Sequence, residues 1–185
     1  MSAAELSRAQ IVELLTELGA RLDAAGVHGD LYVVGGAAMA LQFDARDVTR
    51  DVDAVFAPPT EVRRVAAELA AERHLPDGWL NSAAGAFMPG RAQVPPLVLD
   101  VPGLSVASAP AEHLLAMKLA AGRYGRDLDD IATLLDVLGI DDPAEAVRIA
   151  RDLYGPDSVV LSDPDGSDEL LAQDALDLSR RRREG

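Results

Sequence analysis

The chain has 185 residues, 49% of them apolar, and a formal net charge of −14. It is long enough to bury a core, but its negative charge argues against binding nucleic acid over a broad surface, because contacts to phosphate need Lys and Arg. Cysteine is absent, so disulfides and thiolate ligands are excluded, and a metal would need oxygen or histidine ligands, which favours Mg²⁺ over Zn²⁺.

Hydrophobic periodicity in the first half of the chain predicts helices that alternate with short strands. Apolar residues at helical spacing predict a helix over residues 4–24, with Gly26 as its stop. The segment LYVVGG predicts an apolar strand that ends in glycine, AAMALQ a brief helix, and DVDAVF a second strand. A helix opened by prolines follows in APPTEVRRVAAELAAERH. PPLVLDVPGL predicts one short or edge strand, because prolines stand near both of its ends.

The second half predicts helices. SAPAEHLLAMKLAAGR, DLDDIATLLDVLG and DPAEAVRIARDLYG are helical in pattern, residues 155–168 predict a linker, and a last helix runs to about Arg181. We therefore expect an α+β fold, with a sheet and flanking helices over residues 1–105 and a helical region over 106–185, packed as one compact unit. No apolar run approaches the roughly 20 residues of a membrane-spanning helix, and the start is unlike a signal peptide, so we expect a cytoplasmic protein with no membrane partner.

Two adjacent glycines and two aspartates form the first candidate site. Gly35 and Gly36 join a strand to a helix, where backbone N–H groups can approach a phosphate and the helix dipole favours an anion. Asp51 and Asp53 share one face of the next strand with Val55, and paired carboxylates hold divalent cations that bridge phosphates. Each half has an ordinary alternative, a tight turn for the glycines and a solvated face for the aspartates. Together they predict a site for a nucleoside triphosphate (NTP) with Mg²⁺ or Mn²⁺.

At these residues the sequence resembles the DNA polymerase β-like nucleotidyltransferases, whose motif is a strand, Gly-Gly or Gly-Ser, a helix, and a strand with Asp-x-Asp. It is most similar to the small proteins allied to AbiEii and MenT toxins, because VTRDVDAVF matches their Thr-x-Asp-x-Asp strand. LLAMKLAAGRYGRDLDDI resembles their later Lys and Arg-Asp motif, and LPDGWLNSAAGAFMPG resembles a segment of one branch of the group. The likeness covers roughly residues 31–140 and implies a small mixed nucleotidyltransferase sheet.

The resemblance implies roles for several residues. The phosphate loop and the metal pair would be the residues already singled out, Gly35, Gly36, Asp51 and Asp53. Lys118 would contact the triphosphate or act in catalysis, with Asp127 or Asp130 as a further acidic partner. The group has an Arg two positions before the threonine of its motif; Asp47 stands there in this chain, and Arg46 is the candidate to replace it.

Four further residues have a functional and an ordinary interpretation. Asp100, in LVLDV, lies where many enzymes of this superfamily place a third carboxylate that acts as a base or metal ligand, or it is simply an Asp at a strand end. Lys118 emerges at the rim of an apolar helix stripe, where it would neutralise phosphate charge or cover the core. Arg123 and Arg126 would contact the triphosphate or the acceptor's phosphates, or pair with the aspartates that follow them.

Two remaining features favour ordinary roles. Trp79 and Asn81 offer a stacking surface and hydrogen bonds to a base, but a lone tryptophan is more often part of a core. The arginine run 180–183 is typical of a solvated helix end, where positive charge suits the helix dipole.

The leading hypothesis is a Mg²⁺-dependent nucleotidyltransferase that moves a nucleoside monophosphate from an NTP to an acceptor. The resemblance implies the 3′ end of tRNA as the acceptor, a role as the toxin of a toxin–antitoxin pair, and a cognate antitoxin as a protein partner. The acidic charge keeps protein acceptors (AMPylation) and small-molecule acceptors open. The alternative is a non-catalytic nucleotide-binding or antitoxin-like module. The intact glycines, aspartates and lysine favour the enzyme.

Overall fold

The computed structural model describes residues 5–43, 48–155, 158 and 166–184. Arg46 and most of the predicted linker lie outside them. By its contacts the chain divides into two compact units, Met1–Ala86 with Pro95–Ala109, and Phe87–Val94 with Pro110–Gly185. The sequence prediction divided the chain after residue 105 within one compact body. The first unit instead ends at Ala109, and a short segment from the middle of the chain joins the helical unit.

Strands and three helices form the first unit. The strands are β1 Leu6–Ser7, β2 Gly29–Val34, β3 Val48–Thr49, β4 Val52–Ala57, β5 Leu80–Asn81, β6 Leu97–Val101 and β7 Leu104–Ser108. The helices are α1 Arg8–Ala24, α2 Gly35–Phe43 and α3 Pro59–Arg73, and a short 3-10 helix spans Ala83–Phe87. Among the described residues this gives a mixed α/β fold whose second half is helical, as the sequence predicted.

The main sheet has five strands in the order β5-β4-β2-β7-β6. Strand β2 pairs antiparallel with β4 and parallel with β7, β4 pairs parallel with β5, and β6 pairs antiparallel with β7. Side chains on one face are buried with those of the three helices: Leu31, Val33, Val52, Ala54, Leu104 and Val106. Tyr32, Asp53 and Val55 alternate with these buried positions and so lie on the opposite face.

Helix α1 begins later than its periodicity predicted. The Ser7 hydroxyl accepts a hydrogen bond from the Gln10 backbone N–H (3.3 Å), and the Gln10 side chain accepts one from the Ser7 N–H (2.9 Å). This reciprocal cap satisfies two backbone donors that a helix start leaves open. Leu6 and Ser7 also pair with β3, so these two residues are extended rather than helical.

The segment PPLVLDVPGL (residues 95–104) holds the one strand that the sequence predicted, β6, and it leads into a second strand, β7, that the sequence did not predict. Strand β6 is an edge strand, as expected, and the chain turns at Pro102 and Gly103 into β7. Strand β7 lies inside the sheet between β2 and β6. Its sequence, LSVAS, has too few large apolar residues to indicate a strand. The strand therefore depends on its pairing with β2 and β6.

Four helices form the described core of the second unit: α4 Ala111–Ala121, α5 Tyr124–Leu138, α6 Pro143–Tyr154 and α7 Ser167–Glu184. Asp142 caps α6 by accepting a hydrogen bond from the Ala144 backbone N–H (3.0 Å). The Tyr154 hydroxyl donates to the Phe87 carbonyl (2.7 Å), which ties the segment Phe87–Val94 to this unit. Over the residues that can be described, no helix is long and apolar enough to cross a membrane.

Candidate functional site

Strand β2 runs directly into helix α2 at Gly35, beside Asp53. Val34, the last residue of β2, pairs with Asp53 in the antiparallel register. Gly35 has a φ of +64°, which glycine adopts without steric cost, and Gly36 follows in the first turn of the helix. A Cβ placed on Gly35 would lie 3.6 Å from Asp53 Oδ2. The structure thus brings the glycine pair and one of the two predicted metal ligands together.

Asp51 lies on the same side of the strand as Asp53, and Asn81 orients it. The two aspartates flank the buried Val52 and are both partly exposed. Asn81 is the register partner of Asp53 in β5, and its Nδ2 donates to Asp51 Oδ2 at 3.4 Å. The Asn81 Oδ1 accepts from the Ala83 N–H (2.9 Å), which fixes the orientation of the amide. The sequence suggested Asn81 as a contact for a base. Its position beside Asp51 results from the pairing of β5 with β4, which no local sequence pattern indicates.

The donor set at this position fits Mg²⁺. Asp51 and Asp53 offer carboxylate oxygens on one face, and Mg²⁺ is usually bound through one or two carboxylates together with substrate phosphates and water. Within the described ranges, no group of three or more His, Asp or Glu side chains is arranged to hold a metal. Phosphate oxygens of a substrate and water would therefore have to complete the coordination of a metal bound by this pair.

Asp100 does not join this pair, which corrects the prediction of a third ligand or base there. Asp100 on β6 pairs with Ser105 on β7, and Ser105 in turn pairs with Asp30 on β2. Asp53 on β4 pairs with Val34, four residues further along β2. These two positions on β2 are about 13 Å apart along the strand, and Asp100 and Asp53 are three strands apart, about 14 Å across the sheet. Asp100 is exposed on the edge strand, and its Oδ1 accepts a hydrogen bond from the Ser105 hydroxyl (2.8 Å).

Lys118, Asp127 and Asp130 meet in the second unit as a buried cluster. The Lys118 Nζ donates to Asp127 Oδ1 (2.7 Å) and to Asp130 Oδ2 (2.6 Å). The lysine side chain is 8% exposed and each carboxylate 2%. The sequence placed Lys118 at the rim of an apolar stripe, but the two carboxylates on α5 allow its charge to be buried instead. The predicted trio is brought together, and in this geometry it joins α4 to α5.

Arginines of the second unit lie beside aspartates at several places. The Arg123 Nε lies 3.2 Å from Asp127 Oδ2, and Arg183 Nη1 lies 3.6 Å from an oxygen of Asp136. Arg182 forms an ion pair with Asp129. These contacts favour the ordinary interpretation of Arg123 and of the terminal run. Arg126 is exposed in the first turn of α5.

Trp79 is a core residue and not a stacking surface. Its side chain is 1% exposed, and its indole Nε1 donates to the Ala66 carbonyl (3.0 Å) in α3. Burial with a satisfied N–H is the usual state of a tryptophan in a core. The functional interpretation of Trp79 is therefore wrong.

The candidate residues thus form two groups, one in each unit. The first holds Gly35, Gly36, Asp51 and Asp53, and the second holds Lys118, Asp127, Asp130 and Arg123. No family model, no curated protein and no solved structure matches the chain. The chemistry available to each group therefore rests on its own geometry.

Proposed function

We propose that the first unit binds a Mg²⁺–NTP and transfers its nucleoside monophosphate to an acceptor hydroxyl. The observation that carries this proposal is the opening of α2 at Gly35, directly beside the carboxylate of Asp53, with Asp51 on the same face of the strand. A helix N-terminus attracts phosphate, and the carboxylates attract the cation that accompanies it. An NTP with bound Mg²⁺ supplies both the anionic phosphates and the cation.

Each part of the site has a chemical role in this reaction. Backbone N–H groups in the first turn of α2 would hold the β and γ phosphates, while Asp51 and Asp53 would hold the metal, with Asn81 fixing the first carboxylate. When bound, Mg²⁺ polarises the α phosphate and neutralises charge on the phosphates. The acceptor oxygen bonds to the α phosphorus as the bond to the pyrophosphate oxygen breaks, pyrophosphate leaves, and the acceptor's proton passes to solvent.

The acceptor has three candidate classes in this proposal: the tRNA 3′ end, a protein and a small molecule. The resemblance to toxin-like nucleotidyltransferases favours the tRNA 3′ end, and with it a toxin role and an antitoxin partner. The net charge of −14 and the pairing of Arg123, Arg182 and Arg183 with aspartates favour a protein or small-molecule acceptor. The catalytic roles that the resemblance implies for Lys118, Asp127 and Asp130 stay predictions.

Labelling with each of four α-³²P NTPs tests the proposal. The purified protein is incubated with Mg²⁺ and total tRNA or a cell extract depleted of nucleic acid, and labelled products are separated on gels. We expect label on one acceptor class, and none after chelation of divalent ions until Mg²⁺ or Mn²⁺ is restored. Asp53→Asn should lower transfer at least about 100-fold, because it removes a metal ligand. Asp23→Asn, an exposed carboxylate on α1, is the matched control and should retain activity.

The outcomes separate the candidates. Label on tRNA supports the toxin-like enzyme, and label on protein supports AMPylation. If NTP binds and neither tRNA nor protein is labelled, the remaining descriptions are transfer to a small molecule, which releases pyrophosphate, and a non-catalytic nucleotide-binding module, which does not. Equal transfer by Asp53→Asn and the wild type would contradict the mechanism.

A further inference from the structure

A cavity of about 380 Å³ lies on the face of the main sheet that also carries Asp53. Its walls come from four neighbouring strands of the first unit, mainly Tyr32, Val55, Ala57, Leu97, Ser105 and Ala107. The volume is within the range of about 300–1,000 Å³ found for small-molecule sites. None of the residues predicted from the sequence as site residues lines it.

The strand register connects this cavity to the proposed phosphate and metal site. Val34 pairs with Asp53, and Tyr32 pairs with Val55, so the second pair follows the first on the same face. Two residues along a strand span about 7 Å. A single ribose separates the α phosphate of an NTP from its base, which is a comparable span. A nucleotide whose phosphates lie beside Asp53 can therefore place its base over Tyr32.

The chemistry of the walls suits a flat aromatic group. Tyr32 pairs on its other side with Ala107, whose small side chain leaves space beside the phenol ring. Val55 is 45% exposed and Leu97 61% exposed, so apolar surface at the cavity faces solvent. Burial raises the pKa of the Tyr32 hydroxyl, so the ring is present in its neutral form. Stacking on an aromatic side chain is available to every base, since each has a π face.

We propose that this cavity binds the nucleobase of the NTP, with the base stacked on Tyr32 between Val55 and Ala107. The inference rests on the proposed function, because the phosphate site beside Asp53 determines where the base can reach. The inference assigns the cavity to the NTP whose nucleotide is transferred. The acceptor then binds outside this cavity.

Fluorine NMR of the whole chain labelled with 3-fluorotyrosine tests this directly. The protein contains three tyrosines, and Tyr32→Phe identifies the resonance of Tyr32. The probes are each Mg²⁺–NTP and Mg²⁺–tripolyphosphate, which has the phosphates without a base. We expect NTPs to shift the Tyr32 resonance strongly and tripolyphosphate to shift it little, although both bind.

Affinity measurements by calorimetry on variants provide the second test. Tyr32→Leu should weaken NTP binding roughly ten- to hundred-fold and leave tripolyphosphate binding unchanged. Ala107→Leu fills the cavity and keeps the Tyr32 ring, and it should have the same selective effect. It provides the test if Tyr32→Leu folds poorly. Tyr154→Phe, a partly buried tyrosine of the second unit, is the matched control and should bind both probes as the wild type does.

The results distinguish failure of this inference from failure of the proposed function. If Asp53→Asn weakens binding of NTP and tripolyphosphate, but Tyr32→Leu and Ala107→Leu bind NTP normally, the base lies elsewhere and only this inference is overturned. If neither probe binds the wild type, both proposals are overturned. A Tyr32 resonance that shifts with protein concentration and not with NTP would assign the face to a contact between copies of the chain, which also overturns the inference.

Discussion

Gly35 combines a backbone constraint with a position beside the proposed phosphate site. Its φ of +64° is unfavourable for a residue with a Cβ, while the added methyl would make only ordinary contact with Asp53 at 3.6 Å. Strain rather than a clash is therefore the expected effect of a side chain here. Relief of that strain would move the start of α2, where the N–H groups that would bind phosphate lie.

We predict that Gly35→Ala lowers the free energy of unfolding by about 1–2 kcal/mol and weakens NTP binding roughly ten-fold. Gly26→Ala is the control, because Gly26 has a φ of +69° with no atom within 4 Å of the added methyl and lies at the end of α1. Urea denaturation followed by circular dichroism should show a similar loss in both variants. Equal NTP affinity in the two would contradict a role for the start of α2 in phosphate binding.

At the scale of helices, α4 and α5 are joined by buried ion pairs between Lys118 and the carboxylates of Asp127 and Asp130. Lys118→Met should lower the free energy of unfolding by about 3–5 kcal/mol, because it removes the buried ammonium to which both carboxylates are hydrogen-bonded. Adding Asp127→Asn and Asp130→Asn to it should recover part of this loss. Arg64→Met is the control, since it breaks an exposed pair with Glu68 and should cost less than about 1 kcal/mol.

The same variants decide whether Lys118 also acts on substrate. If Lys118→Met keeps its stability and loses nucleotide transfer, the lysine acts in catalysis as the resemblance implies. If transfer and stability fall together and the triple variant recovers both, the cluster acts by holding the two helices. A Lys118→Met variant with normal stability and normal transfer would contradict both the catalytic and the structural role of the lysine.

Helices α1 and α3 are joined by exposed ion pairs that make stability depend on pH. Glu17 accepts hydrogen bonds from Arg21 and Arg73, and Arg21 also pairs with Glu72. The bond from Arg21, followed by that from Arg73, lowers the pKa of Glu17. A lowered carboxyl pKa adds stability at pH values above its unfolded value of about 4.3, and this is lost as the pH falls through the lower folded value.

We predict that Glu17→Gln is less stable than the wild type at pH 7 by less than about 1 kcal/mol, since the pair is partly exposed. The difference should shrink as the pH falls below the unfolded value of about 4.3 and then through the lower pKa of the folded carboxyl. Urea midpoints measured at pH 7 and pH 3 check this. Glu68→Gln is the control, because Glu68 pairs with Arg64 one turn away on the same helix. A difference between Glu17→Gln and wild type that grows toward pH 3 would contradict the sign.

Across the whole molecule, the sequence predicted what local patterns determine and missed what strand pairing determines. The helical stripes and the step from Gly35 to Asp53 follow from nearby residues, and the structure has them. The hairpin that creates β7 and the position of Asp100 depend on register between distant strands. The burial of Lys118 depends on two carboxylates from another helix meeting one amine. The charges of these residues alone do not indicate whether the lysine is buried or exposed.

Trp79 has a practical consequence for studies of unfolding. It is the only tryptophan in the chain, and it is buried against α3 in the first unit. Tryptophan emission therefore reports on the first unit, while far-ultraviolet dichroism draws on the helices of both. Coincident transitions from the two signals would mean that the units unfold cooperatively. A dichroism change without a change in emission would reveal a state in which the helical unit alone has melted.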